Sequence, residues 1–203
     1  MSSSISDAPV PAAAEERRRR GRRVALLILA LCAVPTVAAW LAYFVWQPGS
    51  RANYGELIEP RQLRDPDLRL LDGKPFRLSQ LRGKWVMLQI DSGVCGEGCR
   101  KKLLYMRQAR LAQGKAMDRI ERVWLVTDSA VHDGSLAREF EGTRIARADA
   151  SPILAEFPAA RSRTDHIYVV DPLGNLMLRF PEDPDPRRMV KDLARLLKVS
   201  RIG

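Results

Sequence analysis

The fold is decided by one stretch of the 203-residue chain, Trp85-Val-Met-Leu-Gln-Ile-Asp91-Ser-Gly-Val-Cys95-Gly-Glu-Gly-Cys99-Arg-Lys-Lys102. Its first residues form a mostly apolar run of strand length, which predicts a buried β-strand. From Arg100 to about Gln113, apolar residues and long side-chain stems recur at helical spacing, which predicts a helix. The two cysteines of this stretch therefore lie between a buried strand and a helix.

Strand-length and helix-length patterns alternate through the rest of the domain. The predicted strands are Leu68–Leu71, Phe76–Leu78, Val123–Val126, Ile167–Val170 and Leu176–Phe180, and the predicted helices are Ser135–Phe140, Ser151–Phe157 and Pro186–Val199. Strands separated by helices imply an α/β architecture. The order β-α-β, then helix, β-hairpin and helix is that of a thioredoxin-like fold, with a central mixed sheet flanked by helices.

An uncharged block of 23 residues, Val24–Trp46, precedes this domain. As a helix it would reach roughly 34 Å, which is enough to cross a hydrocarbon core about 30 Å thick. Trp40, Tyr43 and Trp46 cluster at one end, where aromatic rings favour the membrane–water boundary. A cleaved signal peptide would have a shorter apolar region, and a buried helix of a soluble protein would not explain the flanking arginines. We expect one uncleaved N-terminal transmembrane helix.

The arginine cluster Arg17–Arg23 adjoins the other end of this block. Positive charge stays on the cytoplasmic side of a membrane. We therefore expect a single-pass protein of the bacterial inner membrane, with its N-terminus in the cytoplasm and its C-terminal domain in the periplasm. Residues 1–23 are predicted to be a disordered basic tail, 24–46 the transmembrane helix, 47–62 a linker and 63–203 the thioredoxin-like domain.

The net charge of +10, from 34 Lys and Arg against 24 Asp and Glu, is of a kind found in nucleic-acid binders. However, +3 of it precedes the uncharged block and +7 follows it, so the excess is divided by the predicted membrane span. We therefore expect no nucleic-acid partner. Anionic headgroups of the lipid bilayer, or an acidic face of a membrane protein, suit this charge better.

The predicted thiol chemistry of the chain depends on the Cys95-x3-Cys99 pair. Thiolates at a helix N-terminus are stabilised by its partial positive charge, and the neighbouring Arg100, Lys101 and Lys102 are expected to add to it. Such a pair can exchange disulfides, bind a soft metal such as Cu(I), or form a static disulfide. Cys32 lies in the uncharged block, where a small apolar side chain needs no chemical role.

A third ligand for a metal held by two thiolates must come from elsewhere in the chain. The chain has two histidines, His132 and His166. His132 lies in a predicted loop, and a solvated loop histidine is its simplest interpretation. His166 immediately precedes the Ile167–Val170 strand, which in a thioredoxin fold lies beside the cysteine loop. Its imidazole can complete a Cys2His set or can simply cap and pack.

At these residues the chain resembles the Sco/SenC family of thioredoxin-fold copper proteins, which assist cytochrome c oxidase assembly. The resemblance runs from about Leu63 to Val199. The segments on which it depends are Leu78–Leu88, the Cys95-x3-Cys99 pair after a strand, Val123–Asp128, and Asp165-His166 before Tyr168–Gly174. The resemblance implies that Cys95 and Cys99 are copper thiolates and that His166 is the imidazole ligand.

Three functions follow as hypotheses. In the first, the protein is a metallochaperone that binds copper through Cys95, Cys99 and His166 and delivers it to a cytochrome c oxidase subunit, with other assembly factors as further partners. In the second, the same cysteines form the catalytic redox pair of a thiol–disulfide oxidoreductase that reduces a partner, with Cys95 as the more exposed, attacking thiolate. The third is a scaffold for assembly with a vestigial site. No hydrolase motif is present in the sequence.

Overall fold

Residues 12–45, 53–130 and 134–200 are described by the computed structural model of the chain. They divide into two units between Arg51 and Ala52. The first unit contains helix α1 (Ala12–Val45), in which Arg17–Tyr43 is long and apolar enough to cross a membrane by length and composition. The prediction of a disordered tail is wrong for residues 12–23, which begin this helix. Ala, Glu and Arg, which dominate that segment, are good helix formers.

The second unit is built on a mixed eight-stranded sheet in the order β1-β8-β7-β4-β5-β6-β2-β3. The strands are β1 (Glu56–Gln62), β2 (Leu68–Leu70), β3 (Pro75–Phe76), β4 (Trp85–Asp91), β5 (Ile120–Val126), β6 (Thr143–Arg147), β7 (Ile167–Val170) and β8 (Asn175–Arg179). The helices are α2 (Glu97–Leu111), α3 (Gly134–Glu139) and α4 (Pro186–Val199). Strands β4, β5 and β6 are parallel, whereas β7 pairs antiparallel with β4. The predicted thioredoxin-like fold is confirmed.

The two faces of the sheet bury different sets of side chains. One face carries Met87 and Val169, which pack with Met106 of α2 and Leu193 of α4. The opposite face is covered by connecting segments and short 3-10 turns. Its cluster includes Leu63, Leu68, Phe76, Val86, Leu88, Ile90, Val123, Leu125, Ile153, Phe157, Tyr168 and Val170. Strand β4 is therefore buried on both faces, as its apolar sequence predicts.

The predicted linker, residues 47–62, is wrong for its second half. Residues 56–62 form the edge strand β1, which pairs antiparallel with β8. The strand has mostly exposed side chains, so its sequence lacks the apolar alternation that identifies a half-buried strand. It also contains Pro60, which an edge strand tolerates. Residues 47–52 lie outside the described residues.

The start of the folded domain is held by a buried carboxylate. The Gly55 N–H donates to Asp192 Oδ2 of α4 at 2.8 Å, and Asp192 is buried. A Cβ atom at Gly55 would lie 2.5 Å from Leu178 Cδ2. Glycine therefore lets this backbone approach both β8 and α4, which ties residues before Leu63 to the domain.

We expect Asp192→Ala to lower the free energy of unfolding by about 2 kcal/mol, because the Gly55 N–H would remain buried without its acceptor. Urea unfolding of the full chain in detergent measures this, and the exposed neighbour Lys191→Ala is the matched control. Equal stability of the two variants would mean that this contact does not hold β1 in place.

Candidate functional site

Cys95 and Cys99 form a disulfide, with their Cα atoms 5.1 Å apart. The bridge joins the loop that follows β4 to the first turn of α2. Gly96 is the N-cap of this helix, so the helix begins at Glu97 and not at Cys99. Cys99 is thus the third helical residue, where the unpaired N–H groups of a helix end concentrate positive charge.

The disulfide is not on the surface. Cys95 is 2% exposed and Cys99 is 3% exposed, so the expectation that Cys95 is the more exposed sulfur is wrong. Both pack in one cluster with Leu136 of α3 and with Phe140, which follows that helix. The predicted strand–cysteine–helix order was correct, but the covering segment comes from a distant part of the chain. The sequence close to the cysteines therefore gives no sign of this covering segment.

Cys95 has a left-handed backbone, with φ +46°. This region is uncommon for residues other than glycine. Cys95 lies in a loop, whereas Cys99 is held within a helical turn. The neighbouring Val94 is 73% exposed, so the loop borders solvent. Of the two cysteines, Cys95 is the one whose backbone can move without opening a helix.

A buried amide contacts Cys99 from the sheet. Gln89, which is fully buried in β4, donates from Nε2 to Cys99 Sγ at 3.1 Å and lies 3.3 Å from the Cys99 carbonyl oxygen. Its Oε1 is buried and has no hydrogen-bond partner among the described residues. Sequence reasoning missed this residue, although a lone polar side chain within a buried strand run was its available signal.

A buried ion pair lies next to the cysteines. Lys102 Nζ bonds Asp91 Oδ2 at 3.0 Å, with side chains 8% and 17% exposed, and also donates to the Thr164 carbonyl oxygen. Arg100 and Lys101 pair with Glu139 and Asp183. Each member of the basic run Arg100–Lys102 therefore has a carboxylate partner. The expected contribution of these three charges to a thiolate is offset by these partners.

These groups line a groove of about 430 Å³ beside the bridge. Its lining residues are Asp91, Gly96, Gly98, Cys99, Lys101, Lys102, Tyr105, Thr164, Asp165, Glu182, Asp183 and Pro184. Four carboxylates and two lysines in this set make the groove strongly polar. It offers a polar surface to a partner segment next to Cys99.

His166 lies at the cysteine end of the sheet, because the next residue, Ile167, pairs with Gln89. Its Nδ1 is 2.8 Å from the Phe180 carbonyl oxygen. Since a carbonyl only accepts, Nδ1 carries the proton in the neutral ring and Nε2 keeps the lone pair. The other histidine, His132, lies outside the described residues.

While Cys95 and Cys99 are joined by the disulfide, the described residues do not form a metal-binding site. Across residues 12–45, 53–130 and 134–200, no three His, Cys, Asp or Glu side chains are grouped so as to hold a metal ion. The sulfurs of a disulfide are also not thiolates. Copper binding by Cys95, Cys99 and His166 thus remains a prediction for the reduced pair. Cys32 is a free cysteine of helix α1.

With the fold and site described, comparison with known proteins gives the family. Residues 85–200 match the family model described as transmembrane-like, thioredoxin-like, C-terminal domain. The chain belongs to this family. The match begins at β4 and ends just after α4, so it includes the disulfide, Gln89 and His166. No curated protein matches the chain.

Solved structures share the fold at low sequence identity. Yeast Sco1 with copper bound is 13% identical, with a TM-score of 0.59, covering 70% of this chain and 96% of that one. Apo Sco1 from Thermus thermophilus is 21% identical, with a TM-score of 0.54 and coverage of 74% and 98%. The thioredoxin domain of a thiol–disulfide oxidoreductase from Bacteroides vulgatus is 16% identical, with a TM-score of 0.53 and coverage of 70% and 99%. The predicted likeness to Sco/SenC proteins is confirmed as a likeness of fold.

The Gln89 contact leads to a prediction about the redox pair. A hydrogen bond to a thiolate is stronger than one to a neutral sulfur, so Gln89→Leu should destabilise the reduced form more than the oxidised form. We expect the reduction potential to fall by roughly 30 mV, equivalent to a tenfold change in the equilibrium constant for reduction. Equilibration of the Cys32→Ser full chain with glutathione buffers measures the potential.

The control for this experiment is Gln113→Leu. The Gln113 amide also donates two hydrogen bonds, but to the Ala109 and Val190 carbonyl oxygens. An equal shift in both variants would mean that Gln89 acts only through general stability.

Proposed function

We propose that this protein is a membrane-anchored thiol–disulfide oxidoreductase whose redox pair is Cys95 and Cys99. The position of the disulfide is the observation that carries the proposal. It joins the loop after a buried strand to the first turn of a helix, and a buried amide contacts one of its sulfurs. A bridge that closes so short a loop contributes little chain-entropy stabilisation, so a chemical role explains it better than a structural one.

The reaction has two exchange steps. The Cys95 thiolate attacks one sulfur of a partner disulfide, the partner S–S bond breaks, and a partner thiolate leaves a mixed disulfide behind. The Cys99 thiolate then attacks Cys95 Sγ, re-forms the Cys95–Cys99 bond and releases the second partner thiolate. The two electrons come from the cysteine pair, and the protons lost when the pair ionises go to the partner thiolates. A dithiol donor in the same compartment reduces the pair again.

The surroundings of the two sulfurs support different tasks for them. Cys99 lies within the first turn of α2 and accepts from the Gln89 Nε2–H, and both features favour its thiolate. It is therefore suited to be the resolving thiolate. Cys95 lies in the loop, and it attacks once its side chain leaves the cluster that contains Leu136 and Phe140.

The partner and the compartment extend the proposal. Proteins that carry disulfides occur mainly in oxidising, exported compartments, and the Arg17–Arg23 cluster before the apolar part of α1 is consistent with a periplasmic C-terminal domain. The proposed partner is an exported protein with two oxidisable cysteines. A cytochrome c oxidase subunit, whose copper-binding cysteines must be reduced before they take the metal, meets this requirement.

A trapping experiment tests the redox proposal. In the Cys32→Ser full chain, we expect Cys99→Ser to accumulate a mixed disulfide between Cys95 and a disulfide-containing peptide, because the resolving step is removed. The adduct is measured by mass spectrometry and should disappear on adding dithiothreitol. Cys95→Ser is the matched control and should accumulate much less.

The parent chain, once reduced, should convert one peptide disulfide per chain. Absence of both turnover and adduct would reject the redox function and leave copper carriage or an assembly scaffold. Adducts confined to the Cys95→Ser variant would instead reverse the roles of the two cysteines.

Copper carriage, the function expected first from the sequence, is the second candidate. One observation favours it: His166 Nδ1 is occupied by the Phe180 carbonyl oxygen, which leaves the Nε2 lone pair free for a metal. Metal-ligating histidines are usually oriented in this way by a second hydrogen bond. Copper would be cargo, taken by the reduced Cys95 and Cys99 thiolates with His166 and delivered to an oxidase subunit.

Metal titration separates the two candidates. If copper is the cargo, the reduced Cys32→Ser chain should bind one Cu(I), and His166→Ala should weaken binding by about tenfold or more. A competition assay with a Cu(I) chelator measures this, with His132→Ala as the matched control. Unchanged binding in His166→Ala, or equal binding by the disulfide-bonded chain, would contradict copper carriage. If the cysteine pair is redox-active, peptide reduction should persist in His166→Ala, because the exchange steps do not use the imidazole.

A further inference from the structure

A second polar site lies at the opposite end of the parallel strands. The cysteine loop follows the carboxyl end of β4, whereas Arg122 lies early in β5, opposite Met87 of β4 and Thr143 of β6. Helix α2 runs back from Cys99 and ends near this region. The cleft between the end of α2 and the beginnings of β5 and β6 has a volume of about 550 Å³.

Arg122 is the unusual residue of this cleft. It is 4% exposed, and its Nη2 donates to the Glu141 carbonyl oxygen at 2.6 Å. Its Nε and Nη1 are buried and have no hydrogen-bond partner among the described residues. A buried guanidinium without a carboxylate on it is costly, because water is removed and nothing replaces it.

The surroundings of Arg122 add positive charge. Burial, together with Arg110 and Arg107, lowers the pKa of Arg122 to about 10, and Glu121 opposes this only in part. A base whose pKa falls on folding holds its proton less tightly in the folded state, so charged Arg122 costs stability at neutral pH. An anion in the cleft would remove this cost.

The carboxylates near the cleft do not supply that anion. Glu121 already pairs with Lys84 at 3.0 Å and with Arg144 at 3.7 Å. Glu141 contacts Arg122 through its backbone carbonyl oxygen, and Glu141 itself is an exposed residue. Arg110 pairs with the exposed carboxylate of Asp118 at 3.4 Å. Four arginines against Glu121 and Glu141 still leave the lining of the cleft with an excess of guanidinium groups.

The backbone is shaped to hold this arrangement. Gly142 has φ +79°, and a Cβ atom there would lie 3.0 Å from Arg122 Nη2, so glycine makes room for the guanidinium. The next residue, Thr143, has a buried Oγ1 that has no partner among the described residues. Buried polar atoms without a partner among the described residues, Arg122 Nε and Nη1 and Thr143 Oγ1, thus border the same cleft from adjacent strands.

We propose that this cleft binds a phosphate-bearing anion, with the guanidinium groups of Arg107, Arg110, Arg122 and Arg144 and the Thr143 hydroxyl as donors. Planar guanidinium forks match the oxygens of a phosphate, and the excess of arginine suits a dianion better than a single carboxylate. The volume exceeds that of bare phosphate, so it accommodates the ester of a soluble metabolite or of a phospholipid headgroup. The site is independent of the cysteine chemistry.

Titration of the full chain in detergent with inorganic phosphate tests the proposal by calorimetry. We expect saturable binding to the parent and at least about tenfold weaker binding to Arg122→Gln, because a buried charge-assisted bond is lost. The double variant Arg107→Gln, Arg144→Gln changes exposed residues and should also weaken binding. Arg187→Gln, an exposed arginine of α4, is the matched control, and sodium chloride at equal ionic strength controls for screening.

Two results would overturn the proposal: no saturable phosphate binding to the parent, or equal binding by the parent, Arg122→Gln and the double variant. Nanodiscs distinguish the two sources of phosphate. If a headgroup occupies the cleft, phosphatidylglycerol in a phosphatidylcholine nanodisc should weaken phosphate binding to the parent but not to Arg122→Gln. A soluble ester as ligand predicts no lipid effect. Peptide reduction by Arg122→Gln should match the parent, so failure here leaves the redox proposal intact.

Discussion

The pairing of β4 with β5 on one edge and β7 on the other determines where the chemistry lies. The strand is held in register from Trp85 to Asp91 and buried on both faces, so its end cannot slide without turning apolar side chains toward water. The chain must leave the sheet after Asp91 and enter α2 within a few residues. That short connection places Cys95 in a loop and Cys99 in a helical turn. The same register places Gln89 beneath Cys99. It also places His166 directly before the neighbouring strand, β7.

Much of the fold was predictable because central strands and amphipathic helices leave strong local patterns. Strands β4, β5 and β7 are apolar runs, and α4 was predicted with its observed ends since Asp185 caps it and Pro186 opens it. The edge strand β1 and the short β6 were missed. Few of their side chains are buried, and their place in the sheet depends on pairing with β8 and β5 rather than on their own sequence.

The site was predictable only in part, for a related reason. The Cys95-x3-Cys99 spacing is visible directly in the sequence, and the order of elements places His166 at the correct end of the sheet. The partners of these residues come from tertiary structure. Neither the contact of Gln89 with Cys99 nor the burial of Lys102 against Asp91 can be deduced from spacing. Leu136 and Phe140, which cover the two cysteines, lie some 40 residues along the chain from them. The exposure of the cysteines was therefore the property predicted worst.

Buried polar atoms without a partner connect the two ends of this sheet. Such atoms cost free energy in a folded protein and are rare, yet Gln89 Oε1 lies beside the disulfide and Arg122 Nε and Nη1 lie at the far end of the neighbouring strand. Under the proposed redox function, a Cys99 thiolate would accept more strongly from Gln89 Nε2 than the disulfide sulfur does, and a bound anion would accept from Arg122. One amide and one guanidinium on the same face of the sheet thus carry unpartnered polar atoms at the two ends where disulfide exchange and anion binding are proposed.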